Sequence, residues 1–403
     1  MLFIKKIFKH FKRKRIKGSC CVAIVDDSIP NPNPCGFRNY EFNLILDSMP
    51  NANIWTMSKT YPGSDAWFEH AYGQQYRLWK KNKKAYLLKV PQNKGRLYWL
   101  NTQKAYSFDL AYSIFLCTTY TLLPFYEKNN IPFVFVLYPG GGFGLNNASS
   151  DAMLKKVFQS PCFRGVVCTQ PITCQYIIDK KFVTKDKILY QFGGYLQFLP
   201  NDVGKKICYP KDKPTLDICF VAYKYSPKGV DKGYDLFIKV AKKLVLKYDF
   251  IRFHVVGNFD ANDIPIDSLE SKIYFHGLLD AKQLQSFYSG MDICLSPNRP
   301  FKLFEGNFDG FPLGLDAMCF GVVLMLTDEL KNNQGNYIDG EELIIIRPEE
   351  KDILSKIEPL IENISHLYKI GRNGAEKTFK ILNPKNRANA IIKFLKQNLM
   401  EPK

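Results

Sequence analysis

The residues best suited to chemistry lie between 305 and 321, in the segment EGNFDGFPLGLDAMCFG. Asp309 and Asp316 flank a turn that contains two glycines and a proline, and small and apolar residues follow it. A glycine-containing turn before a helix exposes backbone N–H groups, which bind phosphate with help from the helix dipole. The two carboxylates could accept hydrogen bonds from sugar hydroxyls. A structural loop with an aspartate N-cap explains the same residues, so both interpretations stay open.

A second cluster begins at the end of an apolar run, Phe220–Ala222. Lys224 and Lys232 follow it, and a glycine comes directly after Lys232. Ammonium groups at a strand end can hold a diphosphate and offset the charge that develops as it leaves. Ordinary loop lysines in a lysine-rich chain are the alternative.

The residue types do not predict a metal site or a resident cofactor. The chain has five histidines, and its eleven cysteines include no Cys-x-x-Cys pair, so no zinc-ligand spacing occurs. No Asp-x-Asp follows a predicted strand, and the lysines would supply the positive charge that Mg²⁺ supplies elsewhere. The odd number of cysteines indicates free thiols in a reducing cytosol.

The surrounding elements predict an α/β fold. Short apolar runs, each followed by a loop and a helix, alternate between residues 20 and 169 and again between 216 and 326. This order is typical of parallel sheets with helices on both faces. Leu110–Tyr126 is too short and too polar to span a bilayer, and we expect it to be a buried helix. Residues 60–105 are aromatic and basic, and their pattern assigns neither helix nor strand.

Two α/β units with a hinge account for this pattern. Paired glycines at 193 and 194 and a polar, proline-containing stretch after them indicate the connection. We expect a basic tail over 1–18, a first Rossmann-like domain over 19–205, a second over 206–383, and a final helix within 384–403. Ligands of such folds bind in the cleft, beyond the carboxyl ends of the strands.

The net charge of +18 is concentrated in two stretches of the predicted first half. Residues 1–18 carry eight lysines and arginines and residues 70–108 carry nine, with no acid in either. In the tail, apolar residues at 4, 7, 8 and 11 form one stripe of a helix opposite the cations.

This charge pattern predicts contact with an anionic membrane, through residues 1–18 and the 77–96 cluster. A solvated tail or a mitochondrial presequence would also explain residues 1–18. Nucleic-acid binding is disfavoured, because the charge is local and no RNA-binding motif accompanies the lysines. We expect a cytoplasmic protein that lies on the cytoplasmic face of a membrane.

Taken together, residues 216–382 resemble the C-terminal half of retaining GT-B glycosyltransferases of the family "glycosyl transferases group 1". The order of several motifs carries the resemblance: Lys232-Gly233, Phe253–Gly257, Tyr274–Leu278, Phe287–Pro297 and Gly371–Gly374. DGFPLGLDAMCFG is similar to the family's EGFG-x-x-x-LEAMA-x-G. The first half resembles the family less specifically.

The resemblance implies a GT-B fold, with two doubly wound Rossmann-like domains facing across a cleft and a final helix that crosses back to the first domain. The second domain would bind a nucleotide-sugar, which is a co-substrate and not a cofactor. The implied catalytic residues are Asp309, Lys232 and Lys224, with Tyr223 as the alternative to Lys224. The implied donor-binding residues are Gly310, Phe311, Pro312, Leu313, Asp316 and Gly194.

The chain departs from the family pattern at three points. Both acids are aspartates, and six residues separate them instead of seven, which leaves Glu305 as another candidate for the first acid. A histidine that often follows the strand at Ile131–Leu137 is replaced here by Tyr138-Pro139 and three glycines. Gly36, Arg38 and Gly141 are the candidate acceptor-side residues.

The resemblance implies a glycosyltransferase that retains the anomeric configuration, and the missing Asp-x-Asp together with the lysines predicts that it needs no metal. The membrane-directed charge suggests a glycan or lipid-linked glycan acceptor, in the assembly of a surface polysaccharide such as O-antigen, capsule or lipopolysaccharide. The alternative is a catalytically silent GT-B-like protein that acts as a membrane-associated partner. The two aspartates and the missing histidine motivate that alternative.

Overall fold

The computed structural model describes residues 22–32, 34, 36–57, 75–194, 196, 198, 213–300 and 314–400. The predicted tail helix lies outside these ranges. So do six residues of the predicted donor loop: Glu305, Asp309, Gly310, Phe311, Pro312 and Leu313.

The first part of the described chain forms a parallel sheet whose strands follow the order β3-β2-β1-β4-β5-β6-β7. The strands are β1 (Val22–Asp26), β2 (Asn53–Met57), β3 (Leu97–Leu100), β4 (Leu110–Ile114), β5 (Phe133–Leu137), β6 (Phe163–Cys168) and β7 (Ile188–Tyr190). The strands β1, β4 and β5 are buried along their whole length. Continuous burial explains why these strands are unbroken apolar runs.

Helices cover both faces of this sheet. They are α1 (Phe37–Ser48), α2 (Tyr76–Lys89), α3 (Leu116–Asn129), α4 (Ala148–Gln159) and α5 (Pro171–Asp179). One core lies between the sheet and the buried residues of α1 and α2, and the other lies under α3, α4 and α5. Parallel strands need such crossover helices, and they place the loops after the strands along one edge of the sheet.

A second parallel sheet follows, with the order β10-β9-β8-β11-β12-β13. Its strands are β8 (Leu216–Val221), β9 (Ile251–Val256), β10 (Ile273–Phe275), β11 (Ile293–Ser296), β12 (Val323–Thr327) and β13 (Ile344–Ile346). Its helices are α6 (Tyr234–Leu244), α7 (Ala281–Tyr288), α8 (Leu315–Met318), α9 (Glu350–Glu362) and α10 (Ile364–Ile381). Two parallel sheets with helices confirm the predicted α/β class.

The last helix, α11 (Pro384–Met400), packs against α1, β4 and β6 of the first sheet. Its residues Ala388, Ile391, Ile392 and Leu395 are buried in the core that contains α1. The first domain is therefore built from chain segments that precede and follow the second sheet in sequence.

Two predicted elements are wrong. Leu110–Tyr126 is not one helix, because β4 ends at Ile114 and α3 begins at Leu116. A continuous apolar run has no periodicity that separates a buried strand from a buried helix, so the boundary was invisible. The helix predicted to follow the glycine-containing turn of 305–321 is only the single turn α8. Among the described helices, none is both long and apolar enough to cross a bilayer.

Candidate functional site

Lys232 is buried at the carboxyl edge of the second sheet. It lies in the loop between β8 and α6, with 5% of its surface exposed, and its Nζ is 5.5 Å from the centre of the Tyr225 ring. Burial lowers the pKa of this ammonium to about 8, although the charge of Asp231 acts in the opposite direction. Desolvation penalises the ammonium here, and an incoming anion would relieve that penalty.

Lys224 has an acidic partner inside the second domain. Its Nζ lies 2.6 Å from Asp263 Oδ1, and its backbone N–H donates to Asn258 at 2.7 Å. These contacts tie Lys224 to the loop that follows β9. A diphosphate would have to compete with Asp263 for this ammonium, so the structure gives the two lysines different surroundings.

The loop that carries Lys232 packs against residues 297–299. Gly233 has φ +73°, and a Cβ at this position would lie 2.1 Å from the Pro297 carbonyl oxygen. The Arg299 N–H donates to the Asp231 carbonyl at 2.9 Å, and Arg299 Nη2 lies 3.0 Å from Asp235 Oδ2. Lys232 is therefore held beside the segment that leads into residues 301–313.

Asp316 is the second residue of α8, and this helix begins directly after Gly314, where φ is +76°. Burial raises the pKa of the Cys319 thiol, and the charge of Asp316 adds to this rise. Burial also raises the pKa of Tyr288, and Asp316 is one of the charges that contribute there. The carboxylate therefore lies near Cys319 and Tyr288. A single helical turn has little dipole, so the described residues do not provide the phosphate-binding helix end that we expected.

At the carboxyl edge of the first sheet, two aspartates hold Arg38. Its Nη1 donates to Asp27 Oδ1 at 2.6 Å, to Ser28 Oγ at 2.8 Å and to Asp26 Oδ2 at 3.2 Å. The backbone N–H groups of Ser28 and Ile29 donate to the other oxygen of Asp26. Asp26 is fully buried; burial raises the pKa of its carboxyl, and Arg38 opposes this rise.

Phe115 connects Arg38 to the predicted glycine run. The Arg38 guanidinium carbon is 4.6 Å from the centre of the Phe115 ring. A Cβ on Gly141, where φ is +59°, would lie 2.4 Å from the same ring. Phe115 itself has φ +62°, a strained conformation of the kind that clusters at functional sites. The structure thus brings Arg38 and Gly141 together around a residue that the sequence did not single out.

Gly36 caps α1 with φ +80°, two residues before Arg38. A Cβ on Gly36 would meet nothing within 4 Å. The residue therefore contributes the turn into α1, and the space that a side chain would occupy at this position is open.

Helix α1, which carries Arg38, also carries the buried carboxylate of Glu41. Glu41 is fully buried and accepts hydrogen bonds from the Tyr112 and Tyr138 hydroxyls, the latter at 2.7 Å. Burial raises the pKa of Glu41, while these two bonds and the charge of Arg387 lower it. One carboxylate therefore links α1 to β4 and to the residue that directly follows β5.

Gly194 lies at the exit from the first domain. The N–H of the preceding residue, Gly193, donates to the Thr169 carbonyl at 2.9 Å, and its carbonyl accepts from Arg387 Nη2 at 2.8 Å. Arg387 also donates to the Phe192 carbonyl. These contacts hold residues 192 and 193 between Thr169 of the first domain and Arg387 of α11.

The two edges approach each other across the domains. Burial alone would lower the pKa of Arg38, but Asp27, Asp26 and, to a smaller extent, Tyr225 raise it overall. Tyr225 therefore lies near Arg38 on one side and Lys232 on the other. Lys89 Nζ of α2 lies 3.5 Å from Asp280 Oδ2, which caps α7, and this contact also joins the domains.

Residues 216–363 match the model of the family described as glycosyl transferases group 1. We call this matched segment, residues 216–363, the group 1 domain. A search of curated proteins finds no significant match to the chain.

Solved structures extend the likeness of this group 1 domain to the whole fold. Sucrose-phosphate synthase from Thermosynechococcus elongatus is 14% identical, with a TM-score of 0.62 over 93% of this chain and 98% of that one. HepE from Anabaena, solved with UDP and glucose, is 13% identical, with a TM-score of 0.62 over 93% and 99%. A glycosyltransferase from Rickettsia africae is 14% identical, with a TM-score of 0.59 over 94% and 99%. These likenesses confirm the GT-B fold.

Sequence reasoning missed three residues near the two sheet edges. Arg299 lies beside the loop that carries Lys232, and Asp27 and Phe115 contact Arg38. Arg299 follows a predicted strand and a proline, a signal that could have identified it. Asp27 directly follows β1, and carboxylates after strand ends are candidates on the same grounds as lysines after strand ends. The positive φ of Phe115 has no sequence signal. Among the described residues, no cluster of three or more His, Cys, Asp or Glu is suited to a metal ion.

Proposed function

We propose that the protein transfers a sugar from a nucleotide-sugar to an acceptor hydroxyl. The observation that carries this proposal is the burial of Lys232 at the carboxyl edge of the group 1 domain. Lys232 lies over the Tyr225 ring, and the charge of Tyr225 acts on Arg38 of the first domain. Lys232 would bind the donor diphosphate and offset its charge as the sugar leaves. HepE, a structural neighbour, has been solved with UDP-glucose, which supports this donor class.

The remaining assignments extend this proposal. The first domain, with Gly36, Arg38 and Gly141, would hold the acceptor, and the segment 206–383 would hold the donor. Lys224 and the acids Asp309 and Asp316 would complete the donor site. The binding backbone would run through Gly310, Phe311, Pro312 and Leu313, with Gly194 at the hinge.

A donor panel tests the proposal. The purified full chain is incubated with UDP-, GDP- and dTDP-sugars, and released nucleotide is measured; calorimetry measures nucleoside diphosphate binding. We expect one nucleotide class to bind and to be released. No turnover together with no binding would refute the proposed function.

Stereochemistry and metal dependence are separate parts of the proposal. We infer retention of configuration from the family resemblance and metal independence from the lysine-rich loop. NMR of the freshly formed anomeric centre tests the first inference. Unchanged turnover after treatment with EDTA is the expected result for the second.

The Lys224–Asp263 pair favours one other function, that of a catalytically silent partner protein. A lysine already bonded at 2.6 Å to a carboxylate is less available to a diphosphate. Such a partner would bind a nucleoside diphosphate weakly and release no nucleotide from any donor, so the panel distinguishes the two functions.

We further propose that the acceptor is a glycan or lipid-linked glycan, and that the protein works on the cytoplasmic face of an anionic membrane during surface-polysaccharide assembly. The described part of the basic cluster supports this proposal. Trp79 and Tyr86 are buried, and they mark the side of α2 that packs against the core. The opposite side carries Leu88, which is 86% exposed, among cations.

The structure separates the lysines of α2 into two groups. Lys83 Nζ donates to the Leu97 carbonyl at 2.7 Å and lies 4.8 Å from the Trp79 ring centre. Burial lowers the pKa of Lys83. Lys83 therefore stabilises the α2–β3 contact, whereas the cations of the outer side are exposed: Arg77, Lys80, Lys81 and Lys84.

Replacing these four outer cations with glutamine is expected to weaken membrane binding. Each basic residue near an anionic surface contributes about 1 kcal/mol, so we expect a loss of at least tenfold in partitioning. Sedimentation with phosphatidylserine-containing vesicles measures it. The control has the same charge change at exposed sites of the second domain: Lys239, Lys243, Lys282 and Lys369. Equal losses in both variants would contradict a specific α2 surface.

A further inference from the structure

The carboxyl ends of β1, β4 and β5 meet at one place on the first sheet. Asp27 follows β1, Phe115 follows β4, and Gly141 follows β5. Arg38 joins the three, because it bonds to Asp27 and lies over the Phe115 ring against which Gly141 packs. This set, named here the first-edge cluster, faces the second domain at Tyr225.

Within this cluster, Asp27 retains capacity to bind. Its side chain is 13% exposed, and one oxygen, Oδ1, accepts from Arg38 at 2.6 Å. Among the described residues, Arg38 is its only hydrogen-bond partner, so Oδ2 is available as an acceptor. A carboxylate can accept several hydrogen bonds, and the Arg38 contact fixes its orientation.

The charge of the cluster limits what it can bind. Two carboxylates, Asp26 and Asp27, share one guanidinium, so the cluster has no spare positive charge. A phosphate or carboxylate ligand would be repelled, whereas a neutral hydroxyl would donate to Asp27. The positive charge lies on the opposite edge, at Lys232.

We propose that Asp27 binds a hydroxyl of the acceptor, whose reacting end is an uncharged sugar or polyol and not a phosphate. This inference rests on the proposed function. It assigns the anionic donor to the Lys232 edge and the neutral acceptor to the Asp27 edge. The charge of Tyr225 acts on Arg38, and Lys232 lies over the Tyr225 ring, so we expect ligands bound at the two edges to be near each other.

Saturation-transfer NMR of the full chain with UDP tests the proposal. The probes are methyl glycosides of common hexoses and hexosamines, together with their 6-phosphates. We expect at least one neutral glycoside to bind and its phosphate to bind more weakly. Asp27→Asn removes the charge and keeps the shape, and it is expected to reduce glycoside affinity about 10- to 100-fold.

Three comparisons keep the outcomes distinct. Asp47→Asn removes an exposed acid at the end of α1 that lies away from Arg38, and it should leave glycoside affinity unchanged. UDP affinity should be within twofold of the parent in both aspartate variants. Asp27→Glu, which displaces the carboxylate by one methylene, replaces Asp27→Asn if that variant unfolds, and we expect a similar loss.

The results that overturn the proposal differ from those that overturn the proposed function. Failure of every neutral glycoside to bind, tighter binding of the phosphates, or unchanged affinity in both Asp27 variants overturns the acceptor assignment while UDP binding persists. Absence of binding for every nucleoside diphosphate, with no donor turnover, overturns the proposed function itself.

Discussion

Lys232→Met is expected to abolish donor turnover and to stabilise the fold at pH 7. The variant removes the cation proposed for the diphosphate, so kcat/KM with the donor should fall about 10²- to 10³-fold. It also removes a buried charge. A pKa near 8, against an ordinary value of 10.5, corresponds to a cost of about 3 kcal/mol at neutral pH.

The pH dependence follows from the direction of this shift. Below about pH 8 the lysine is charged in both the folded and unfolded states, so the folded state carries the full cost. Between about 8 and 10.5 the unfolded chain alone keeps the proton, so stability rises with pH and the cost disappears. The gain from Lys232→Met should therefore be largest at pH 7 and smaller at pH 9, as measured by urea unfolding.

Diphosphate affinity should have the opposite trend. In the parent chain it should fall as the pH rises above about 8, because the ammonium deprotonates. Lys232→Arg keeps its charge and should remove this decline, which calorimetry with UDP at pH 7 and 9 would detect. Unchanged donor kinetics in Lys232→Met would show that the diphosphate lies elsewhere.

Removal of residues 384–403 is expected to unfold the first domain. This deletion strips Ala388, Ile391, Ile392 and Leu395 from a core that also contains Val22, Ile24 and Tyr112. Truncating one buried Leu or Ile to Ala already costs about 2–5 kcal/mol, and a domain has about 5–15 kcal/mol in total. The shortened chain should bind a hydrophobic dye and lose near-ultraviolet circular dichroism.

The control keeps the helix and changes its outer side. Lys393→Gln with Lys396→Gln affects exposed positions of α11 and should leave the melting temperature within about a degree of the parent value. A truncated chain that melts cooperatively at the parent temperature would show that α11 is an appendage. In that case the contacts of Arg387 with the hinge would be dispensable as well.

The strands were predictable where turns bounded them. The apolar stretch Asn53–Met57 stands between polar segments and forms β2, one of the short strands that the sequence predicts between residues 20 and 169. No comparable boundary separates β4 from α3, so one apolar run concealed two elements. The helix α2 was missed because cations occupy most of its surface, and its inward side depends on Trp79 and Tyr86.

The residue types of the candidate site were predictable from the sequence, but the hydrogen-bond and ion-pair partners of these residues were less so. Lysines after β8 and glycines after β5 follow from the sequence, since parallel strands place their ends together. The partners do not follow from it: Asp263 for Lys224, and Asp27 for Arg38, are 39 and 11 residues away along the chain. The conformation of Phe115 results from contacts that no local pattern encodes.

The return of α11 to the first sheet makes the second domain an insertion within the first. Residues of the first fold lie on both sides of it in sequence, and Arg387 binds one crossing, at Phe192 and Gly193, from the other. The second domain is therefore expected to be exchangeable as one unit between chains of this fold, through two cuts that lie side by side at Gly193 and Arg387.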